Sequence, residues 1–143
     1  MWSLVVMGGI LVPVQLAANS RIRDAIGSAP LAIMISFIVG AAGLGALTAT
    51  GLLGRGQISG IANVPGWAWI GGFLSAFAVM VSMMSLKPLG AGAVIAAMVF
   101  GQLASAMVID HFGWLAVEKN PIDVYKIIGA LLLLVGALMM QHK

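Results

Sequence analysis

Two pairs of polar side chains inside long apolar segments are the residues of this sequence best suited to chemistry. Gln15 and Asn19 stand four residues apart, and Gln102 and Ser105 stand three apart. On a helix these spacings place the members of each pair on one face. A polar group in hydrocarbon is costly unless it is satisfied. The amides therefore either bond between helices and stabilise a bundle, or line a polar cavity for a solute that Trp69 would help to wall.

A second candidate is the acid–imidazole pair Asp110 and His111, roughly two helical turns after Gln102. One interpretation is an interfacial pair whose side chains reach the lipid headgroups. The other interpretation is a gate or a proton-handling group, because histidine is the side chain that most often gains and loses a proton in proteins. An enzyme that acts on lipid would use the same two residues as acid and base. No nucleophile or metal ligand accompanies them, so we expect no catalytic residues.

Other motifs that carry chemistry are missing from the sequence. It contains no Gly-x-Ser-x-Gly, no His-Glu-x-x-His and no Walker loop. There is no cysteine, and the two histidines, His111 and His142, lie far apart. We therefore expect neither a metal site nor a cofactor. The apolar segments also have no Asp, Glu, Lys or Arg at their centres, which argues against transport through a midplane carboxylate and favours a neutral, zwitterionic or weakly charged solute.

Composition identifies the class of protein that must position these residues. Of the 143 residues, 62% are apolar and 8% are charged, and the mean hydropathy is +1.12. Soluble domains carry roughly a quarter charged residues. The few basic residues are scattered between the apolar runs, which excludes the clustered basic face of a nucleic-acid-binding protein. The sequence therefore predicts an integral membrane protein with no soluble domain.

Apolar runs of about 20 residues mark membrane-spanning helices, and the chain has five. We predict one all-α transmembrane domain over residues 1–143. Ser28 is the predicted N-cap of the second helix, and Lys87-Pro88-Leu89-Gly90 is expected to break the third. Asn120 is the predicted cap of the fifth helix, with Pro121 in its first position and Asp123 in its first turn. The first run has no basic residues before it, so we interpret it as a retained helix rather than a cleaved signal. The predicted helices cover about 2–19, 29–53, 66–86, 91–114 and 122–140.

Small residues and one proline shape these helices. Pro13 removes a backbone hydrogen bond from the first helix and frees the carbonyl of Gly9, so a kink is expected there. Glycines let helices approach each other closely, within the chain or between two copies. They lie in the second, third and fifth helices, at Gly40, Gly43, Gly45, Gly71, Gly72, Gly129 and Gly136.

The distribution of basic residues leaves the orientation in the membrane nearly undecided. With five spans, the side of the N-terminus holds three Lys or Arg residues and the opposite side holds four. The positive-inside rule predicts that the side with more Lys and Arg residues faces the cytoplasm. So small a bias permits insertion in both orientations, which would let the chain pair with an inverted copy of itself. A single orientation set by another factor is equally compatible with the counts. The residues counted are Arg55, Lys119 and Lys126 against Arg21, Arg23, Lys87 and Lys143.

Three motifs contain most of the polar, glycine and aromatic residues discussed above. The first runs from Gln15-x-x-x-Asn19 through Gly27-Ser28-x-Pro30 to Ser36-Phe37-x-x-Gly40. The second covers residues 65–72, Pro-Gly-Trp-Ala-Trp-Ile-Gly-Gly. The third, and most specific, starts at Gly101-Gln102 and ends with Ile109-Asp110-His111-Phe112-Gly113. Together these motifs resemble the YdcZ-type family of short bacterial membrane proteins within the drug/metabolite transporter superfamily. The motif positions carried over are Gln15, Asn19, Trp67, Trp69, Gln102, Asp110 and His111.

The resemblance implies half of a ten-helix architecture, located in the bacterial inner membrane. Longer members of the superfamily contain two inverted halves, so a five-helix chain would need a partner, either a second copy or a close paralogue. We therefore predict a secondary transporter of a small polar metabolite or drug-like solute that works by alternating access as an antiparallel dimer. The substrate-binding residues would be Gln15, Asn19, Trp69, Gln102 and Ser105, with Asp110 and His111 toward the mouth. The alternative is a non-transporting subunit or assembly factor of a larger membrane complex.

Overall fold

Five α-helices form the part of the chain described by the computed structural model, which comprises residues 1–52, 54, 56 and 58–140. The expectation of an all-α chain with five helices is confirmed. The predicted helix end at Leu53, the counted charges Arg55 and Lys143, and His142 lie outside the described residues. Three short 3₁₀ turns, Ile58–Asn63, Gly66–Ile70 and Trp114–Ala116, accompany the helices. These are α1 (Trp2–Ile26), α2 (Ala29–Ala49), α3 (Gly71–Leu89), α4 (Ala91–Phe112) and α5 (Val124–Met139).

The first helix extends well beyond its predicted end at Asn19. Arg21 and Arg23 continue α1 because arginine is a good helix former and a charge near the interface does not stop a helix. The helix ends where Gly27 adopts the left-handed conformation (φ 70°), and the N–H of Gly27 donates to the carbonyl of Arg23 at 2.8 Å. Pro13 lies inside α1.

The second helix begins as predicted. The hydroxyl of Ser28 accepts a hydrogen bond from the N–H of Leu31 at 3.4 Å, and Pro30 occupies the first turn. The helix ends at Ala49, short of the predicted apolar boundary. The hydroxyl of Thr50 donates to the carbonyl of Leu47 at 2.6 Å, and Gly51 follows in the left-handed conformation.

The third helix differs from the prediction at both ends. The residues from Gly66 to Ile70 form a 3₁₀ turn, and the α-helix starts at Gly71. The helix then includes Lys87, Pro88 and Leu89, so only the last residue of the predicted break, Gly90, lies outside α3. A proline this close to a helix end removes only the bond to the carbonyl four residues earlier. The chain turns at Gly90, whose φ of 79° is accessible to glycine.

The predicted N-cap of the fifth helix is wrong, although the helix begins only two residues after the predicted Ile122. Asn120 and Pro121 precede the helix in the connection from α4, and the N-cap is Asp123. The carboxylate of Asp123 accepts from the N–H of Lys126 at 2.8 Å. Asp has the side-chain geometry of a strong N-cap, and the N-terminal helix dipole favours its negative charge. The fourth helix ends at Phe112, before the predicted Trp114, because Gly113 adopts a φ of 68°.

Four helical segments are long and apolar enough to cross a membrane: α1, α2, α4 and the segment Gly66–Leu89 that contains α3. The fifth helix has 16 residues. At 1.5 Å per residue it rises about 24 Å, less than the roughly 30 Å of a hydrocarbon core.

The chain divides into a first unit, Met1–Met84, and a second unit, Ser85–Lys143. In the first unit, α2 follows the two-residue turn Gly27-Ser28 and packs against α1. The buried positions of this unit lie where α1 and α3 finish and where α2 begins: Leu16, Asn19, Ser20, Ala32, Ile33, Ser82 and Met83. In the second unit α4 packs against α5, with Ala93, Val94 and Ala137 buried.

Candidate functional site

Asn19 is the most deeply buried of the candidate residues. Its exposed fraction is 2%, and its Nδ2 atom has no hydrogen-bond partner among the described residues. A buried donor that is left unsatisfied costs about 1–3 kcal/mol. Such exceptions are rare in folded proteins and call for a physical reason. Asn19 therefore carries an unused donor in the core of the first unit.

Gln15 shares the helix with Asn19, but its environment is different. Gln15 is exposed, and its side chain has no hydrogen-bond partner among the described residues. The i, i+4 spacing predicted a common face. The core of the first unit covers that face only around Leu16, Asn19 and Ser20, so the two amides are not buried together.

The second polar pair lies on α4. Gln102 and Ser105 are both exposed. The hydroxyl of Ser105 donates to its own helix, at 2.9 Å from the carbonyl oxygen of Gly101 and 3.0 Å from that of Gln102. The Gln102 amide has no partner in the described part of the chain. Ser105 is thus satisfied locally, as serines in helices commonly are, whereas Gln102 is an exposed amide near the middle of an apolar helix.

His111 and Asp110 hold the connection between α4 and α5. The Nδ1 atom of His111 accepts a hydrogen bond from the N–H of Ile122 at 3.1 Å. The backbone carbonyl of Asp110 accepts from the N–H of Asn120 at 2.8 Å. Because Nδ1 is the acceptor, a neutral His111 carries its proton on Nε2. No hydrogen bond or ion pair joins the two side chains in the described part of the chain.

Lys126 completes this connection in a way that the sequence did not reveal. Its Nζ atom donates to the carbonyl of Asn120 at 3.1 Å, to the side-chain oxygen of Asn120 at 2.7 Å and to the carbonyl of Pro121 at 2.9 Å.

In the same connection, Leu115 adopts the left-handed conformation with a φ of 57°, which is unusual for a residue with a Cβ atom. The rings of Phe112 and Trp114 stack on each other, with 4.9 Å between their centroids.

Arg23 is a second residue that sequence reasoning missed as part of the site. Its Nη1 atom donates to the carbonyl oxygen of Met83 in α3 at 3.2 Å. Its Nη2 atom donates to the hydroxyl of Ser20 at 3.3 Å and to the carboxylate of Asp24 at 3.1 Å. The side chain is only 17% exposed. The available signal was its position four residues after Asn19, on the same helix face.

Two apolar cavities, one in each unit, are not lined by the candidate polar residues. One cavity of about 590 Å³ lies between α2 and α3, within the size range of ligand pockets. Its walls include Met34, Phe37, Phe73, Phe77 and Met80. A smaller cavity of about 280 Å³ lies between α4 and α5. Each cavity matches the apolar part of a solute or an acyl chain better than a polar group.

Two further observations concern Trp69 and metal binding. Trp69 lies in the 3₁₀ turn before α3 and is 60% exposed. This exposure is compatible both with an interfacial aromatic residue and with the wall of a hollow. Within residues 1–52, 54, 56 and 58–140, no group of three or more histidine, cysteine or acidic side chains could hold a metal ion.

Comparison with known protein families gives one match, which covers nearly the whole chain. Residues 1–139 match the family described as "Putative inner membrane exporter, YdcZ". The chain belongs to the YdcZ family. No curated protein and no solved structure matches it significantly.

Membership in the YdcZ family agrees with the apolar helices and identifies a membrane transport protein of the inner membrane. The predicted family resemblance is confirmed. YdcZ is a family of exporters and not of enzymes. The matched region includes every candidate residue from Gln15 to His111, together with Arg23 and Lys126.

Proposed function

We propose that this YdcZ-family chain is a secondary transporter of a small polar metabolite or drug-like solute, and that it works by alternating access as an antiparallel dimer. The observation that carries the proposal is the state of Gln15 and Gln102. Both amides lie within apolar membrane helices, both are exposed, and neither has a hydrogen-bond partner among the described residues.

An exposed amide at this depth requires a polar neighbour. Lipid chains offer no hydrogen bonds, so an amide that faces them loses its bonds to water without replacement. Water in a hollow, a solute or a second protein copy can supply the missing partners. A solute-binding hollow between two copies would satisfy Gln15 and Gln102 together and would place them near the midplane, where transporters of this general design bind their substrates.

The glycines of α2 and α5 support an interface between two copies. A Cβ atom added at Gly40, Gly43, Gly129 or Gly136 would meet no atom within 4 Å. The close approach that these residues permit is therefore not used at these positions within the chain. Small residues on membrane helices commonly serve contacts between helices, and a second copy is the partner that completes a ten-helix architecture.

The packing of the first unit is compatible with alternating access. Its buried residues gather where α1 and α3 finish, whereas the first half of α1 and the second half of α2 are exposed. Two inverted copies would present one closed end to each side of the membrane. Exchanging the conformations of the two copies would then move access from one side to the other.

The remaining residues have subordinate roles in this proposal. Asn19, Trp69 and Ser105 would contribute to the walls of the hollow, and Asp110 and His111 would lie toward its mouth. The sequence has no nucleotide-binding loop, so an ion or solute gradient would supply the energy.

The first test asks whether water reaches the amides. The chain contains no cysteine, so single cysteines can be introduced at Gln15 and Gln102 and treated in membrane vesicles with a water-soluble maleimide. We expect both to react, because a thiol ionises only where water reaches it. Val14 and Val108, which are 64% and 43% exposed on the same helices, are the controls for lipid-facing positions. Labelling of neither amide position would contradict the water-filled hollow.

The second test concerns transport itself. A thermal-shift screen of the purified protein against small metabolites should identify a stabilising solute, whose uptake is then measured in proteoliposomes. Gln102→Leu should abolish this uptake and leave expression and dimer formation intact. Val99→Leu, on the same helix, should transport normally. Normal uptake by Gln102→Leu would remove Gln102 from the site, and constant co-purification of a foreign protein without any solute effect would favour a subunit role.

A further inference from the structure

We propose that Arg23 is a gating residue that ties the end of α1 to α3 and thereby closes one side of the membrane over the unused donor of Asn19. The inference rests on the transport function proposed above. It assigns a role to a residue that belongs to none of the three motifs.

The first step is the contact between the helices. The guanidinium of Arg23 reaches from the last turns of α1 to the backbone carbonyl of Met83 in α3, with an Nη1···O distance of 3.2 Å. Met83 is fully buried, and the Arg23 side chain is 17% exposed. A charged donor forms a stronger hydrogen bond than a neutral one. This bond therefore holds the two helix ends together at the edge of the core.

The second step is the way in which the guanidinium is held. Besides Met83, it donates to the hydroxyl of Ser20 at 3.3 Å and to the carboxylate of Asp24 at 3.1 Å. Arginine can serve several acceptors at once because its donors form a rigid planar fork. Ser20 and Asp24 thus orient the fork on α1, and Met83 is the acceptor that belongs to the other helix.

The third step is what lies beneath this contact. Asn19 is one helical turn before Arg23 on the same face and is 2% exposed, with Nδ2 lacking a partner. An unsatisfied buried donor raises the free energy of the closed arrangement. Moving α3 away from α1 would break the bond to Met83 and let Nδ2 meet water or a solute. The group of the solute that binds there would be a hydrogen-bond acceptor, since Nδ2 can only donate.

The position along the helix suits a gate. The 25 residues of α1 rise about 37 Å, more than the roughly 30 Å of a hydrocarbon core. The last turns of α1, with Arg23, therefore reach the region of the headgroups. Asn19 lies deeper by about 6 Å of helix rise. The arginine is thus placed between the aqueous phase and the buried amide.

The test measures access to position 19 in the full chain. Asn19→Cys is introduced as the single cysteine, and its reaction rate with N-ethylmaleimide is measured in membrane vesicles. The rate should be low in this background and rise about ten-fold or more when Arg23→Ala is added, because the added change removes a charged hydrogen bond from the closed state. Arg21→Ala is the matched control: it removes the same charge from an exposed position on the same helix and should leave the rate unchanged.

Two additional variants separate gating from general loosening. Ala93→Cys reports on a buried position of the second unit, 3% exposed, and its labelling should not change with Arg23→Ala. Where Arg23→Ala lowers the unfolding midpoint, Arg23→Met replaces it, since a methionine keeps an unbranched apolar stem but has no N–H to donate to the carbonyl of Met83; the same acceleration is expected. Equal rates at position 19 with and without the Arg23 changes, or equal acceleration at position 93, would overturn the gate.

The outcome at position 19 is independent of the test of the transport function. Labelling at positions 15 and 102 together with an unchanged rate at position 19 would reject the gate and leave the hollow in place. Unlabelled cysteines at positions 15 and 102 would instead reject the water-filled hollow on which the gate depends.

Discussion

At the scale of single residues, His111 serves the connection between α4 and α5 as a hydrogen-bond acceptor. Its Nδ1 atom accepts a hydrogen bond from the N–H of Ile122. A backbone hydrogen bond from the N–H of Asn120 to the carbonyl of Asp110 joins the same two segments. Ile122 lies in the connection before α5, where no helical carbonyl is available to pair its N–H. The imidazole therefore supplies an acceptor that the connection itself does not contain.

Replacing His111 should test this role directly. His111→Phe removes the acceptor and leaves the N–H of Ile122 unpaired, which costs about 1–3 kcal/mol. Hydrogen exchange at the Ile122 amide should therefore become at least about ten-fold faster. His111→Asn is the matched control, because its side-chain oxygen can take the place of Nδ1 and should keep exchange slow. Equal exchange in both variants would show that the imidazole does not protect this amide.

The cap of α5 gives a second prediction for a single residue. The carboxylate of Asp123 accepts from the N–H of Lys126 at 2.8 Å. Asp123→Ala should lower the free energy of unfolding by about 1 kcal/mol, because an N-cap acceptor is lost. Asp123→Asn should keep most of this stability, since Asn is also a good N-cap. Unfolding midpoints in detergent measure both, and an Asp123→Ala variant as stable as the parent would contradict the capping role.

The spacing of the candidate residues along the sequence predicted which of them share a helix face, but not which of them are buried. The sequence placed Gln15 and Asn19 on one face of a helix, and helical spacing is a property of the backbone. Whether that face is buried depends on how the rest of the first unit packs against α1. This packing buries Asn19 and leaves Gln15 exposed. For the same reason Arg23 could not be linked to Met83, because the two residues are distant in sequence and meet only through packing.

At the scale of the helices, glycines with positive φ values mark several of the ends. Gly27, Gly51, Gly90 and Gly113 all have positive φ values and follow α1, α2, α3 and α4 closely. The apolar runs predicted the existence of the helices, since a membrane span needs about 20 apolar residues. The runs did not predict the ends, because α1 continues through charged residues until Gly27. A glycine after the last helical turn was the better signal.

Gly27 allows this explanation to be tested. Gly27→Ala should destabilise the chain by about 1 kcal/mol, because a Cβ atom disfavours the left-handed conformation. No atom lies within 4 Å of the added Cβ, so the cost would come from the backbone and not from a clash. Gly27→Asn should cost less, since Asn visits this conformation more readily. Thermal unfolding measures the order, and an Ala variant more stable than the Asn variant would refute the explanation.

At the scale of the whole molecule, the charge balance and the unpaired amides are the two observations that support the proposed inverted dimer. Three basic residues against four barely bias insertion, so both orientations can coexist in one membrane. The exposed amides Gln15 and Gln102 need polar neighbours that the described part of one chain does not supply. A copy inserted the other way round would meet both conditions without any further protein.

Two variants with opposite fixed orientations test the inverted pair. Arg21→Gln, Lys87→Gln and Gly56→Lys together leave four basic residues on the N-terminal side against two, whereas Arg55→Gln and Lys119→Gln leave one against four. The side with more basic residues should face the cytoplasm, and a C-terminal reporter on each variant verifies this. The two variants carry different affinity tags, and each is also expressed with a differently tagged copy of itself. We expect co-purification of the mixed pair alone, because only the mixed pair contains both orientations. Co-purification of either variant with itself would mean that the copies associate in parallel, and the two amides would then have to be satisfied without an inverted partner.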